Sequence, residues 1–163
     1  MKYFLLVVIF AITFGSAATA QKFVQSLKGY RELSVRVLVS DSLNKPEFNR
    51  DQMKVNLETR LKSVGISVQP LVTDSVPTLR AIVSGTALDW GSLGTFYYAT
   101  VDMEFSQQVV TTGAEPEKVK CVTWKVGQFS FNMKKNEWAD KVRGIINDQL
   151  EVFMNDYMVA NRE

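Results

Sequence analysis

In residues 34–40 valine occupies every second position of the chain. An alternation of period two is typical of a β-strand that buries one of its faces, so this segment is predicted to be a strand. A second, shorter strand is predicted at residues 66–69, where Pro70 ends it. The two strands bracket a segment with a different pattern.

That intervening segment carries the signals of a helix start. Asn49 suits the capping position and Gln52 follows three residues later, as in a capping box. Phe48 and Met53 occupy the two positions that pack together across such a start. Gly65 suits the position after the last turn. The helix is predicted to bury one face, whose members are spaced four, four and three apart: Met53, Leu57, Leu61 and Val64.

A strand, a helix and a strand in this order predict a right-handed crossover between parallel strands. Two longer strands are predicted at residues 78–88 and 95–110. Residues 89–94 join them, and the glycines there allow the positive φ angles of a hairpin. From Tyr97 to Phe105 apolar residues alternate with mostly polar ones, which indicates one buried and one wet face.

Residues 118–129 are predicted to form the next strand, whose apolar residues share the face of Trp124. If the apolar faces of neighbouring strands coincide, Phe105 can lie opposite Trp124. That register places Glu104 opposite Lys125 and predicts a cross-strand ion pair on the other face.

The last predicted element is a long amphipathic helix that begins with an N-cap at Asn136 and ends near Val159. Its apolar stripe recurs at spacings of three and four: Trp138, Val142, Ile145, Ile146, Leu150, Phe153, Met154 and Tyr157. Together these elements predict a two-layer α+β sandwich in the order β-α-β-β-β-β-α. Its mostly antiparallel sheet of about five strands would carry two helices on one face.

The first 20 residues have the pattern of an export signal. Lys2 precedes the apolar run Phe4–Phe14, and the small residues Ala18 and Ala20 match the A-x-A pattern of a cleavage site. The run is too short to span a membrane. We therefore expect cleavage after Ala20 and an exported single domain, residues 21–163, without a transmembrane anchor. The periplasm is the expected location, and an extracellular one is the alternative.

Composition narrows the classes of function. The formal net charge is +2 over 163 residues, which is too balanced to indicate nucleic acid as a partner. The chain has no histidine, which excludes Ser-His-Asp and Cys-His catalysis and removes the commonest metal ligand. Cys121 is the only cysteine, so no intramolecular disulfide forms and no transition-metal ligand set is available. We expect neither a cofactor nor a metal.

An unusual density of aromatic residues surrounds the predicted hairpin. Trp90 lies in its turn, and Phe96 and Tyr98 fall on the otherwise polar face of the following strand. Exposed aromatic side chains anchor interfaces because they bury a large area at low entropic cost. Trp90, Phe96 and Tyr98 are therefore candidate partner-binding residues, unless the N-terminal segment Phe23–Tyr30 or a second copy of the chain covers them.

Asp102 and Glu104 lie two residues apart on one strand face, which makes them a candidate acid/base pair. Lys125, across the predicted register, offers a different interpretation. Charged residues on an exposed strand face keep it soluble and discourage unwanted pairing. We favour this second interpretation, because nothing in the sequence indicates the burial that a shifted pKa needs.

The order of elements over residues 33–158 resembles that of small envelope proteins of Gram-negative bacteria. Examples are the lipopolysaccharide-assembly lipoprotein and the N-terminal domain of the Tol-system translocation protein. The resemblance lies in topology and includes no sequence motif, so it transfers no functional residue. The acylated cysteine of the lipoprotein family is absent, and lipid anchoring is not implied.

The leading hypothesis is an exported, non-catalytic binding or assembly module of the cell envelope. It would contact another envelope protein or envelope component through a sheet face or the hairpin. One alternative is a histidine-free hydrolase of envelope polysaccharide that uses Asp102 and Glu104. Another is a carrier with a small-ligand cavity between helices and sheet, suggested by Met53, Met103 and Met154 among the predicted core residues. Homo-oligomerisation stays open.

Overall fold

A computed structural model describes residues 24–73, 75–113 and 115–162, with the backbone alone for residues 127–133. The predicted export signal lies outside the described residues. The helices and strands are β1 (Glu32–Val39), α1 (Arg50–Ser63), β2 (Ser67–Gln69), β3 (Thr78–Asp89), β4 (Thr95–Val110), β5 (Lys118–Lys134) and α2 (Trp138–Ala160). This is the predicted order β-α-β-β-β-β-α.

The five strands form one sheet in the order β2-β1-β3-β4-β5. β1 lies in the interior of the sheet and runs parallel to both of its neighbours, β2 and β3. β3, β4 and β5 are the longest strands and form an antiparallel meander. Most of the strand pairing is therefore antiparallel, and the predicted α+β fold class is confirmed.

The start of α1 follows the predicted capping pattern. The Asn49 side chain accepts a hydrogen bond from the backbone N–H of Gln52 at 2.9 Å. Phe48 and Met53, the two residues predicted to pack across this start, are both buried. Gly65 has a φ of +84° just after the helix, in the left-handed region that favours glycine. The prediction of both ends of α1 from local sequence is therefore confirmed.

The predicted cap of α2 is wrong by one residue. The helix is preceded by Glu137, which makes no capping bond through its side chain, and Asn136 lies outside it. Trp138, the first residue of α2, is completely buried and stacks on Tyr97 with ring centroids 5.2 Å apart. Packing of this indole, which the local sequence does not specify, positions the first turn.

β5 is longer than predicted and continues to Lys134 instead of ending at Phe129. The added residues pair with the first part of β4, where Phe96 lies opposite Lys134. The register predicted for the centre of the two strands is confirmed, with Glu104 opposite Lys125. Thr123 of β5 has no partner residue on β4, an irregularity that the sequence did not indicate. It places Val122, which is 43% exposed, on the face opposite Trp124, so the prediction that the apolar residues of this strand share one face is wrong at Val122.

The core lies between the sheet and the two helices. Val35 and Val37 of β1 and Leu57 and Leu61 of α1 are buried there. Toward β5, the Phe153 ring of α2 contacts Phe105 and Trp124, with ring centroids 5.8 and 5.1 Å away. Two polar contacts join the helices: an ion pair between Arg60 and Glu151 at 2.9 Å and a hydrogen bond from the Asn56 side chain to that of Asn147 at 3.1 Å. One face of the sheet is thus covered by α1 and α2.

Candidate functional site

The turn between β3 and β4 is closed by its own backbone. Trp90 N–H donates to the Gly94 carbonyl at 3.0 Å, and Gly91 N–H donates to the Asp89 side chain at 3.0 Å. Gly91 and Gly94 have φ angles of +59° and +86°, which residues with a Cβ rarely adopt. The predicted hairpin is therefore confirmed, and its glycines hold the flanking aromatic residues in one arrangement.

An exposed apolar cluster lies beside this turn, on the sheet face opposite the helices. We call it the hairpin patch; it consists of Leu88, Trp90, Phe96 and Tyr98. Leu88 lies directly opposite Phe96 in the register, and the Trp90 ring centroid is 5.2 Å from that of Phe96. Trp90 is 54% exposed, Tyr98 47% and Leu88 43%. The structure thus brings together three predicted residues and adds Leu88, which the register of the hairpin could have indicated.

Tyr97 shows why its neighbours face outward. Its side chain is buried on the helix side, against Trp138. Because successive side chains of a strand point to opposite faces, Phe96 and Tyr98 are directed away from the helices. A polar residue at either position would suit that face better, so the aromatic pair is not explained by core packing.

The N-terminal segment does not contact the hairpin patch in the described part of the chain. Leu27 is inserted in the core, and the Ser26 hydroxyl donates to the Thr123 carbonyl at 2.8 Å. Tyr30 contacts the ring of Phe105, with centroids 5.7 Å apart. Phe105 lies about 30 Å along β4 from Phe96. Residues 24–30, which the sequence offered as a possible cover of these aromatic residues, therefore pack at another place in the fold.

The two candidate carboxylates lie in an ion-pair cluster. Glu104 is 2.8 Å from the Arg80 guanidinium and 3.5 Å from the Lys125 ammonium, and Asp102 is 3.1 Å from the same ammonium. Lys125 was predicted to lie opposite Glu104. Arg80 was missed, although it faces Glu104 directly across the β3–β4 pairing.

This arrangement acts mainly on Lys125. The adjacent Asp102 carboxylate raises the pKa of the Lys125 ammonium above 10.5, with Glu104 adding to the effect and partial burial opposing it. Two cations therefore balance two anions across three strands.

Other features of the described residues supply no further chemistry. No group of three or more Cys, Asp or Glu residues there could hold a metal ion. Met53 and Met103 are buried in the core and Met154 packs against it, as expected of core-filling side chains. Cys121 is a free, partly buried thiol. Within the described ranges, neither helix has the length and hydropathy required to cross a bilayer.

Open grooves lie on the surface that the described residues form. A groove of about 580 Å³ runs between the hairpin and the start of α2, and its lining includes Leu93 and Lys134. A groove of about 770 Å³ at the end of α2 is lined by Lys28, Arg31 and Arg162 among others. The third, of about 370 Å³, lies beside α1 and includes Gln52 and Asn56. None of the three contains Asp102 or Glu104.

Comparisons with known proteins find distant likeness in fold. No protein-family model and no curated protein matches the chain. A minor lipoprotein from Acinetobacter baumannii has 11% identity and a TM-score of 0.39, covering 81% of this chain and 93% of that one. An uncharacterised protein has 15% identity and a TM-score of 0.41, and the match covers 79% of this chain and 92% of that one. The rare lipoprotein B of Shewanella oneidensis has 14% identity and a TM-score of 0.27, and the match covers 78% of this chain and 92% of that one. These low TM-scores support no statement about what this chain does.

Proposed function

We propose that this protein is an exported, non-catalytic binding or assembly module of the bacterial cell envelope. Its contact surface is the hairpin patch, through which it binds another envelope protein or envelope component. The observation that carries this proposal is the exposure of Trp90 and Tyr98, together with the partly buried Phe96 against which Trp90 packs, on the face opposite the helices.

The chemistry of the hairpin patch suits a contact surface. Tryptophan and tyrosine contribute strongly to interfaces because each buries a large apolar area while keeping one polar atom for a hydrogen bond. The hydrogen bonds that close the turn restrict the backbone beside these residues, which lowers the conformational entropy that binding costs. A partner that covers the hairpin patch would remove exposed apolar surface from water, which is the main driving force of association.

Export is the second part of the proposal and is supported by the N-terminal pattern. Residues 1–20 combine Lys2, an apolar run and the A-x-A ending that signal peptidases cleave. The expected mature protein starts at Gln21. Intact mass of the protein recovered from the envelope fraction tests this, and retention of residues 1–20 on the recovered protein would contradict it.

A site-specific photo-crosslinker tests the contact surface. p-Benzoylphenylalanine is placed at position 90 in the hairpin patch or, as a matched control, at position 55 on α1. Val55 is 53% exposed, close to the 54% of Trp90. Irradiation in the native host is expected to give one discrete crosslinked product from position 90 and none from position 55.

The second arm combines the position-90 crosslinker with Phe96→Ala and Tyr98→Ala. The product is expected to disappear, while the thermal unfolding profile shows that the fold is retained. Persistence of the same product in the double variant, equal crosslinking from position 55, or no product from position 90 would each contradict the proposed contact surface.

A further inference from the structure

The two edge strands of the sheet differ greatly in length. One edge is β2, which has three residues and is followed at once by Pro70. The other is β5, which has 17 residues and spans about 56 Å. Short strands and prolines blunt an edge, whereas a long unpaired edge offers a row of backbone donors and acceptors to an added strand. Among the described residues, no strand pairs with the second side of β5, and the contact there from the N-terminal segment is the hydrogen bond from the Ser26 hydroxyl to the Thr123 carbonyl.

The charges on β5 are all of one sign. The strand contains four lysines and no acidic residue: Lys118, Lys120, Lys125 and Lys134. Their partners on β4 are Val110, Gln108, Glu104 and Phe96 respectively. These four partners lie on the face of β4 opposite its buried residues. Because directly paired residues project to the same face of a sheet, the four lysines share the face opposite the helices.

The helix-side residues of β5 are apolar and incompletely covered. Val119, Cys121 and Val126 are each partly buried, while Trp124 is fully buried. The edge therefore presents lysines on one face, of which Lys125 is already ion-paired with Asp102 and Glu104, and an apolar row on the other. An added strand with matching faces would alternate acidic and apolar residues.

We propose that the open edge of β5 binds an extended segment of a partner protein in which acidic residues alternate with apolar ones. The backbone of that segment pairs with β5 as a sixth strand. Its acidic side chains lie beside the lysines, and its apolar side chains extend the helix-side layer. This binding mode is independent of the hairpin patch.

Charge also decides against a second copy of the chain as the occupant. Pairing β5 with itself would bring together two strands that carry only lysines among their charged residues. Like charges at neighbouring cross-strand positions are destabilising. The lysines thus disfavour self-association and favour an acidic strand, which makes the edge selective.

Titration with a synthetic peptide tests the proposal. The probe is a capped peptide of alternating Glu and Val, and the readout is the amide resonances of the isotopically labelled mature protein. Saturable shifts are expected along residues 118–126, with little change along α1. A peptide with Lys in place of every Glu is expected to bind at least about tenfold more weakly. A Glu/Val peptide N-methylated at every backbone amide should not bind, because neither of its edges has a backbone N–H left to donate to β5.

Charge reversal on the protein provides the matched controls. Lys118→Glu with Lys120→Glu is expected to weaken binding of the Glu/Val peptide about tenfold and to strengthen binding of the Lys/Val peptide. Lys45→Glu with Lys62→Glu, two exposed sites away from β5, should leave both affinities unchanged. The neutral pair Lys118→Gln and Lys120→Gln gives an intermediate effect if the reversed variant folds poorly.

Several results would overturn the proposal. These are no saturable binding, equal affinity for the acidic and basic peptides, undiminished binding of the N-methylated peptide, or a dimer in sedimentation equilibrium that the peptide does not dissociate. Alanine substitution of Trp90, Phe96 and Tyr98 should leave peptide binding intact. Failure of the edge proposal and failure of the hairpin patch are therefore distinguishable.

Discussion

Gly85 shows how a single residue limits the packing of β3 against β4. A Cβ atom added there would lie 2.1 Å from the Tyr98 carbonyl oxygen and 2.8 Å from the Ala99 Cα. Both contacts are to backbone, which cannot move aside. We expect Gly85→Ala to lower the free energy of unfolding by about 2–3 kcal/mol in urea titrations. Gly144→Ala is the control, because nothing lies within 4 Å of its added Cβ.

The control should shift stability in the opposite direction. Gly144 lies inside α2, where alanine is favoured over glycine by about 1 kcal/mol. A wild-type midpoint for Gly85→Ala would mean that the strands separate at little cost at this point, contrary to the contacts described.

The Lys125 cluster predicts a pH dependence at the residue scale. Because Asp102 and Glu104 raise the pKa of Lys125 in the folded protein, the cluster stabilises the fold fully below pH 10.5. That contribution is lost as pH rises through the folded pKa. We expect the stability of the wild type to fall more steeply above pH 10.5 than that of Lys125→Gln, measured by urea unfolding across the alkaline range. Parallel profiles would contradict the assignment.

At the scale of elements, the starts of the two helices provide a matched pair. Asn49 caps α1 through its side chain, whereas Asn136 precedes α2 without capping it. Asn49→Ala is expected to cost about 1 kcal/mol of stability, and Asn136→Ala should cost almost nothing. Thermal or urea unfolding of both variants measures this, and equal losses would show that neither side chain acts as described.

The same two starts show what local sequence can specify at this scale. Capping of α1 depends on residues three positions apart, so the pattern at Asn49 and Gln52 was sufficient to predict it. The start of α2 depends on Trp138 packing against Tyr97, which is distant in sequence. The extension of β5 to Lys134 likewise depends on the length of β4, because each added residue needs a partner.

At the scale of the whole molecule, Asn161 ties the two ends of the described chain together. Its side chain accepts from Gly29 N–H at 2.8 Å and donates to the Leu27 carbonyl at 3.1 Å. Asn161→Ala is expected to lower the free energy of unfolding by about 1–3 kcal/mol and to speed amide exchange at Gly29. The neighbouring Arg162→Ala is the control and should change neither quantity. Unchanged exchange at Gly29 in Asn161→Ala would contradict this role.

The candidate sites divide in the same way. The alternation around Tyr97 was enough to predict that Phe96 and Tyr98 share a face, and the register placed Lys125 opposite Glu104. Arg80 was not predicted, because it lies on β3, and its position opposite Glu104 depends on how β3 pairs with β4. Leu88 could have been predicted, because the closed turn places it directly opposite Phe96.

By itself the sequence determined the order of the elements, the face that most of them bury, the closed turn at Gly91 and Gly94, and the absence of histidine chemistry. These properties follow from periods of two and 3.6 residues and from side-chain type, which act over a few positions. Only the tertiary structure decided that β1 lies inside the sheet, that Asp102 and Glu104 share Lys125 with Arg80 nearby, and that β5 is an edge strand of the sheet in the described part of the chain. Those outcomes depend on which strands pair, and pairing joins residues far apart in the chain.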